Sequence, residues 1–265
     1  MWQPDGWSWR ARIGVLTPHG DVGPECEFRA MAPDGVSIHA ARVPLGVFAP
    51  GAAHGAMDRV IAHDAVRAFA EPPHVDDATE LLAAAPLHAI AFAFTSSSYV
   101  RGAVDDAALK ARLEARTKGI PVVVTCAAAA SALTALGAKR LALVSPPWFS
   151  AELDQQGAAY FQGQGFEVVR SGPAELPPDQ RAIHPGQLYE WVRPRVPDSA
   201  EAVFIGGNGL RAVGVIQALE QDLGRPVLTA NQVAFWAALR LAGTRAPVAG
   251  YGRIFDHEPL HVEPV

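Results

Sequence analysis

Short apolar runs alternate along the chain with longer segments whose apolar residues recur at helical spacing. The runs are continuously apolar, as strands of a parallel sheet covered on both faces require. The intervening amphipathic segments are typical of helices that connect such strands. The predicted strands are residues 12–18, 36–43, 87–94, 120–125, 140–145, 166–170, 202–205 and 226–229. This alternation predicts an α/β fold.

The two halves of the chain have similar orders of strands and helices. We therefore expect two pseudo-symmetric Rossmann-like lobes with parallel sheets and an active-site cleft between them. Residues 1–119 and 230–265 would form the first lobe, because the last helix is expected to return to it, and residues 120–229 would form the second. Apolar residues at helical spacing predict one helix over 56–70, and another helix is expected over 105–118.

Composition and charge limit the possible functions. The 265 residues are 49% hydrophobic, which suffices for two small α/β domains. A formal net charge of −5 without a basic run gives no reason to expect a nucleic-acid partner. No apolar stretch reaches the roughly 18 residues of a membrane span, and the N-terminal segment lacks the apolar centre of a signal peptide. The two cysteines, Cys26 and Cys126, are too few for a disulfide scaffold, so we expect a reduced, cytoplasmic protein.

Two polar loops directly follow apolar strands and are candidates for a ligand site. Gly206, Gly207 and Asn208 begin a glycine-rich turn whose backbone N–H groups can approach an anion, aided by the following helix N-terminus. Thr95 and Ser96 follow the strand over 87–94 and could donate hydrogen bonds to a carboxylate. We expect the loops to face each other across one small-molecule site. The simpler alternative is a tight turn and a helix cap without ligand.

Candidate acids and bases lie elsewhere at strand ends. His19, Asp21 and Glu25 share the loop after the first strand, where a histidine or a carboxyl could move a proton. No second ligand cluster accompanies them, so we expect no metal. Cys126 opens a helix, a position that lowers a thiol pKa, although a small buried residue is the alternative. Asn231 opens the last helix and could line the pocket or cap that helix.

A series of short motifs covers nearly the whole chain. They are VLTP at 15–18, MAP at 31–33, GVSIHAARV at 35–43, TS at 95–96, RG at 101–102, ALGAKR at 135–140, LR at 210–211, NQVAFW at 231–236, LRLAG at 239–243 and GYGRIF at 250–255. In order and spacing they resemble the aspartate/glutamate racemase superfamily, most closely its branch of maleate cis–trans isomerases and arylmalonate decarboxylases. The resemblance implies that Thr95, Ser96 and the glycine-rich turn bind a substrate carboxylate.

The chain departs from this family where the family carries its chemistry. The resemblance places catalytic thiols before the Thr-Ser pair and in the glycine-rich turn, where this chain has Phe94 and Gly207. Decarboxylases of the family keep only the second thiol. Ungapped counting places Asp21 where maleate isomerases carry an asparagine, and Pro146 opens the loop in which the family usually has a tyrosine.

These observations lead to two functional expectations. The first is an enzyme that needs no cofactor and acts on a small carboxylic acid at its α-carbon, as an isomerase or a decarboxylating lyase, through an enolate-like intermediate. His19 or Asp21, or else Cys126, would then move the proton. The second is a non-catalytic protein that binds small carboxylates and is derived from this family. Family members occur as monomers and dimers, so we expect a monomer or a homodimer.

Overall fold

The strands form two parallel sheets with the same strand order in a computed structural model, which describes residues 7–45 and 61–257. The first sheet has the order β2-β1-β3-β4, and the second has the order β6-β5-β7-β8. The strands are β1 (Ala11–Pro18), β2 (Val36–Val43), β3 (Ala89–Phe92), β4 (Val122–Val124), β5 (Arg140–Val144), β6 (Glu167–Arg170), β7 (Ala202–Ile205) and β8 (Val227–Thr229). The α/β fold with two parallel sheets predicted from the sequence is confirmed.

Strand β4 belongs to the first sheet, whereas the sequence pattern placed it in the second lobe. Val122–Val124 (β4) pairs with β3, through Ile90 and Val122 among others, and so belongs to the first sheet. The expected division placed residues 120–229 in the second lobe. A run of three buried valines predicts a strand but carries no information about the strand with which it pairs.

Helices cover the sheets. They are α1 (Gly23–Met31), α2 (His63–Ala70), α3 (His74–Leu82), α4 (Thr95–Arg116), α5 (Thr125–Ala135), α6 (Ala151–Gly163), α7 (Pro185–Val192), α8 (Ile216–Leu223) and α9 (Ala230–Leu241). The first part of the helix predicted over 56–70 falls outside the described residues, and within them α2 begins at His63. Helix α9 follows the second sheet in sequence yet packs against α1, α5 and β3. No helix of the described chain is long and apolar enough to cross a membrane.

Helix α4 begins ten residues earlier than the sequence predicts, at Thr95 instead of Asp105. Gly102 interrupts it with a φ of 81°, a left-handed value that glycine adopts without strain. The segment before this kink carries threonine and serines, which are poor helix formers and gave no helical signal. The loop that was expected to hold the ligand is therefore itself a helix N-terminus, with its N–H groups at the end of β3.

Candidate active site

The two predicted ligand loops meet at the carboxyl ends of β3 and β7. The backbone N–H and the hydroxyl of Thr95 both donate to Oδ1 of Asn208, at 2.8 and 2.6 Å. The N–H of Gly207 donates to the Thr95 hydroxyl oxygen at 3.3 Å. Thr95, Ser96 and Asn208 are buried. Hydrogen bonds between the loops thus join the two sheets directly. The Asn208 amide oxygen accepts from the Thr95 donors that were expected to bind a carboxylate.

The hydrogen bonds continue from Asn208 into the first helix. Nδ2 of Asn208 donates to Oδ1 of Asn231 at 2.9 Å and to the Thr125 hydroxyl at 3.3 Å. Nδ2 of Asn231 donates to the backbone oxygen of Asn208 at 2.8 Å and to Oε2 of Glu27 at 2.7 Å. We call Thr95, Asn208, Asn231 and Glu27 the amide network. It ties α1, α4 and α9 to the glycine-rich turn.

Sequence reasoning missed Glu27. Its Oε1 accepts hydrogen bonds from the backbone N–H groups of Ala212 and Val213, at 2.7 and 3.0 Å. Burial raises the pKa of Glu27 to about 7, while its N–H donors lower it and the charge of Asp21 raises it further. The one sequence signal was its place on the apolar face of α1, beside Phe28. A carboxyl there must find partners inside the protein.

Asp21 is a second buried carboxyl near the same turn. Its Oδ1 accepts a hydrogen bond from the Gly23 N–H at 2.8 Å, which is the only hydrogen bond to this carboxyl within the described residues. A Cβ on Gly209 would lie 2.9 Å from Asp21 Oδ2 and 2.6 Å from Gln180 Oε1, so both oxygens approach this glycine. Burial raises the pKa of Asp21 to about 6, against the lowering effects of Gly23 and Arg42.

The three polar residues that share the loop after the first strand have different surroundings in the structure. Asp21 faces the glycine-rich turn, whereas Glu25 forms ion pairs with Arg29 and Arg42, at 2.7 and 2.8 Å. His19 is half-buried, and its Nδ1 accepts a hydrogen bond from the backbone N–H of Leu45 at 3.1 Å. Since Nδ1 is an acceptor, the neutral ring carries its proton on Nε2.

Cys126 does not have the reactive character that its position at a helix start suggested. The thiol is fully buried and donates a weak hydrogen bond to the backbone oxygen of Thr95, at 3.7 Å. Burial, reinforced by the charge of Asp106, raises its pKa well above the usual value. The prediction of a lowered pKa is therefore wrong, because loss of solvent outweighs the helix N-terminus here.

Apolar groups fill both positions at which the resemblance implied thiols. The Phe94 ring packs on Phe69, with ring centroids 4.2 Å apart. Gly207 has a φ of 82°, and a Cβ there would lie only 2.1 Å from Cγ of Pro146. Pro146 therefore occupies the space that a side chain at position 207 would need. Among the described residues, no group of three or more histidines, cysteines and carboxylates lies close enough to hold a metal ion.

Two parallel sheets of identical order, with ligand loops meeting at their carboxyl ends, define a two-lobed α/β protein. A family model described as arylmalonate decarboxylase matches residues 53–255, and the chain belongs to this family. It is 31% identical over 170 residues to an arylmalonate decarboxylase of Bordetella bronchiseptica, covering 61% of this chain and 68% of the relative. It is 27% identical over 139 residues to a maleate isomerase of Geobacillus stearothermophilus, covering 51% of this chain and 55% of that protein.

Solved structures give the same assignment of fold. A maleate isomerase of Pseudomonas putida in complex with maleate superposes with a TM-score of 0.80 at 20% identity, covering 94% of this chain and 99% of that one. A mutant of arylmalonate decarboxylase with associated sulfate has a TM-score of 0.74 at 25% identity, covering 92% and 99%. The relatives are thus isomerases and decarboxylases, and this chain is similar to enzymes of that class.

Proposed function

We propose that the protein acts on a small carboxylic acid at its α-carbon, as a decarboxylating lyase or an isomerase, through an enolate-like intermediate and without a cofactor. The observation that supports this most is Asp21. This carboxyl is buried, has a pKa near 6, and has one oxygen fixed by Gly23 while the other faces the glycine-rich turn. A carboxyl with such a pKa can hold and release a proton near neutral pH.

The carboxylate of the substrate would bind where the two loops meet. The donors there would be the N–H and hydroxyl of Thr95, the hydroxyl of Ser96 and the N–H of Gly207, and Gly206 lies beside Thr95. The N-terminus of α4 adds its positive dipole. In the structure the Asn208 amide oxygen accepts from the Thr95 donors, and Asn231 holds this amide by hydrogen bonds. The amide oxygen must move away before a substrate carboxylate can accept from Thr95.

Decarboxylation then needs only electrostatic stabilisation and one proton. The bond between the α-carbon and the leaving carboxylate breaks, CO2 departs, and the electron pair spreads onto the retained carboxylate as an enediolate. Protonated Asp21 gives its proton to the α-carbon and takes another from solvent. Isomerisation by proton transfer would use ionised Asp21 first as the base. Neither route requires a thiol, which agrees with Phe94, Gly207 and the buried Cys126.

The alternative is a non-catalytic protein that binds small carboxylates. The observation that favours it is the pair of residues at the family's thiol positions, because Phe94 and Gly207 have no side-chain group that could transfer a proton. A protein that retained the pocket without turnover would bind an acid and leave it unchanged.

Proton NMR in D2O separates the two functions. The purified protein is incubated with aspartate, glutamate, maleate, malate, phenylmalonate and methylmalonate. We expect α-proton exchange, isomerisation or loss of CO2 with at least one acid, and loss of that conversion in Asp21→Asn. Glu25→Gln is the matched control, since its carboxyl lies on the same segment but pairs with arginines. Conversion that survives in Asp21→Asn would contradict the role of Asp21. Line broadening without conversion would favour the binding protein.

Binding at the proposed pocket has its own test. We expect the double variant Thr95→Ala, Ser96→Ala to lose binding of the converted acid in calorimetric titration, because the pocket loses its hydroxyl donors. Unchanged affinity would place the ligand elsewhere.

A further inference from the structure

Tyr99 lies one helical turn after Thr95 on α4, and its hydroxyl reaches the second sheet. A Cβ on Gly206 would lie 2.9 Å from the Tyr99 hydroxyl and 3.6 Å from Cγ2 of Thr95. The hydroxyl therefore sits where the two ligand loops meet. It is buried and has no hydrogen-bond partner among the described residues.

The Tyr99 ring packs closely against Gly157 of α6. A Cβ on Gly157 of α6 would lie 2.5 Å from Cε2 of Tyr99, so glycine is the residue that admits the ring there. The ring also makes edge contacts with Phe149 and Phe161, with centroids 6.0 and 6.4 Å apart. Gly206 at the hydroxyl, Gly157 against the ring and the aromatic rings at its sides thus fix the direction of the hydroxyl.

A buried hydroxyl without a partner destabilises a fold, so such a group calls for a function. Burial raises the pKa of Tyr99 well above its usual value, so the phenol stays protonated and acts as a donor. It cannot readily give up the proton, which distinguishes it from Asp21. Stabilisation of a developing negative charge requires a fixed neutral donor of this kind in a dry site.

We propose that the Tyr99 hydroxyl donates a hydrogen bond to the bound carboxylate, and to the enediolate oxygen formed from it, at the junction of Thr95 and Gly206. The proton stays on the phenol throughout. This inference rests on the proposed function and adds to it a donor from the first sheet. The family resemblance implied a tyrosine in the loop where this chain has Pro146. Tyr99 would supply a phenol to the site from α4 instead.

Calorimetric titration with phenylmalonate and with maleate tests this donor in three proteins: wild type, Tyr99→Phe and Tyr160→Phe. Tyr160 is the matched control, because it is a second buried tyrosine whose ring lies 6.5 Å from that of Tyr99. We expect Tyr99→Phe to weaken binding of the acid roughly 10- to 100-fold, as loss of a hydrogen bond to a charged group does. Tyr160→Phe should stay within about twofold of wild type.

Thermal unfolding provides a second measurement that separates binding from structure. Because the hydroxyl has no internal partner among the described residues, Tyr99→Phe should keep its Tm within about 2 °C of wild type or raise it. A clear fall in Tm would assign the hydroxyl a structural role and overturn the inference. Unchanged affinity in Tyr99→Phe would overturn it too, and would leave the proposed function standing. Failure of wild type to bind or convert any of the six acids would refute the proposed function, and this inference with it.

Discussion

Two sets of polar groups surround the glycine-rich turn, and they differ in how many partners each has. In the amide network, Glu27 accepts three hydrogen bonds, from Asn231, Ala212 and Val213. Asp21 is 8% exposed, as Glu27 is, and its carboxyl accepts only one from the described residues. We call Asp21, Gln180 and Tyr99 the open set, because Asp21 Oδ2, Gln180 Oε1 and the Tyr99 hydroxyl have no hydrogen bond among the described residues.

This difference shows that a raised pKa alone does not identify the reactive acid. Burial is the main cause of the raised pKa of both Glu27 and Asp21. The three N–H donors on Glu27 use both of its oxygens, which suits a residue that joins α1 to the second sheet. Asp21 keeps an oxygen for another partner. Unused hydrogen-bonding capacity therefore points to the open set as the part that meets a ligand.

The largest effect should come from breaking the amide network. Glu27→Ala leaves two backbone N–H groups and the Asn231 amide without their acceptor, so we expect the free energy of unfolding to fall by about 3 to 5 kcal/mol. Urea denaturation at about pH 5, below the pKa of Glu27, measures it, because ionisation of this buried carboxyl at higher pH would offset part of the loss. Glu25→Ala, on the same helix but in surface ion pairs, should cost no more than about 1 kcal/mol. Equal losses would show that the network contributes little.

The turn that both sets share should resist a restored thiol. Gly207→Cys puts a side chain at a φ of 82° and drives Cβ into Pro146, so we expect a loss of about 3 kcal/mol in the free energy of unfolding. Adding Pro146→Gly should recover part of that loss, because it removes the clash. The same denaturation experiment checks both variants. If Gly207→Cys is as stable as wild type, Pro146 moves aside easily and does not exclude a thiol.

Asp21→Asn should raise the free energy of unfolding at neutral pH but not at acidic pH. The pKa of Asp21 rises from 3.8 to about 6 on folding, so the ionised carboxyl destabilises the folded state as pH rises through this window. We expect the variant to match wild type below pH 3.8 and to gain up to about 3 kcal/mol above pH 6. Unfolding curves from about pH 3.5 to 8 test it. Asp34→Asn, a substitution at an exposed position, is the control.

The sequence predicts those features that depend on residues close together along the chain. The strands follow from continuous apolar runs, and the meeting of Thr95 with the glycine-rich turn follows from their places after β3 and β7. Glu27 could not be found in this way, because its partners Ala212 and Asn231 lie 185 and 204 residues away. The space for Tyr99 likewise depends on Gly157, which a different helix supplies.

The smallest effect we expect is also the one that connects the two sets. Asn208→Ala removes the amide oxygen that accepts from Thr95, so the N–H and hydroxyl of Thr95 become available to a carboxylate. Stability should fall by about 2 kcal/mol, because Oδ1 of Asn231 also loses the donor that the Asn208 amide supplies. If the closed amide limits binding, affinity for the converted acid should rise, since the protein no longer has to open. Calorimetry of wild type and Asn208→Ala measures this. Weaker binding in the variant would instead mean that the Asn208 amide contacts the ligand itself, and that the amide network belongs to the binding surface together with the open set.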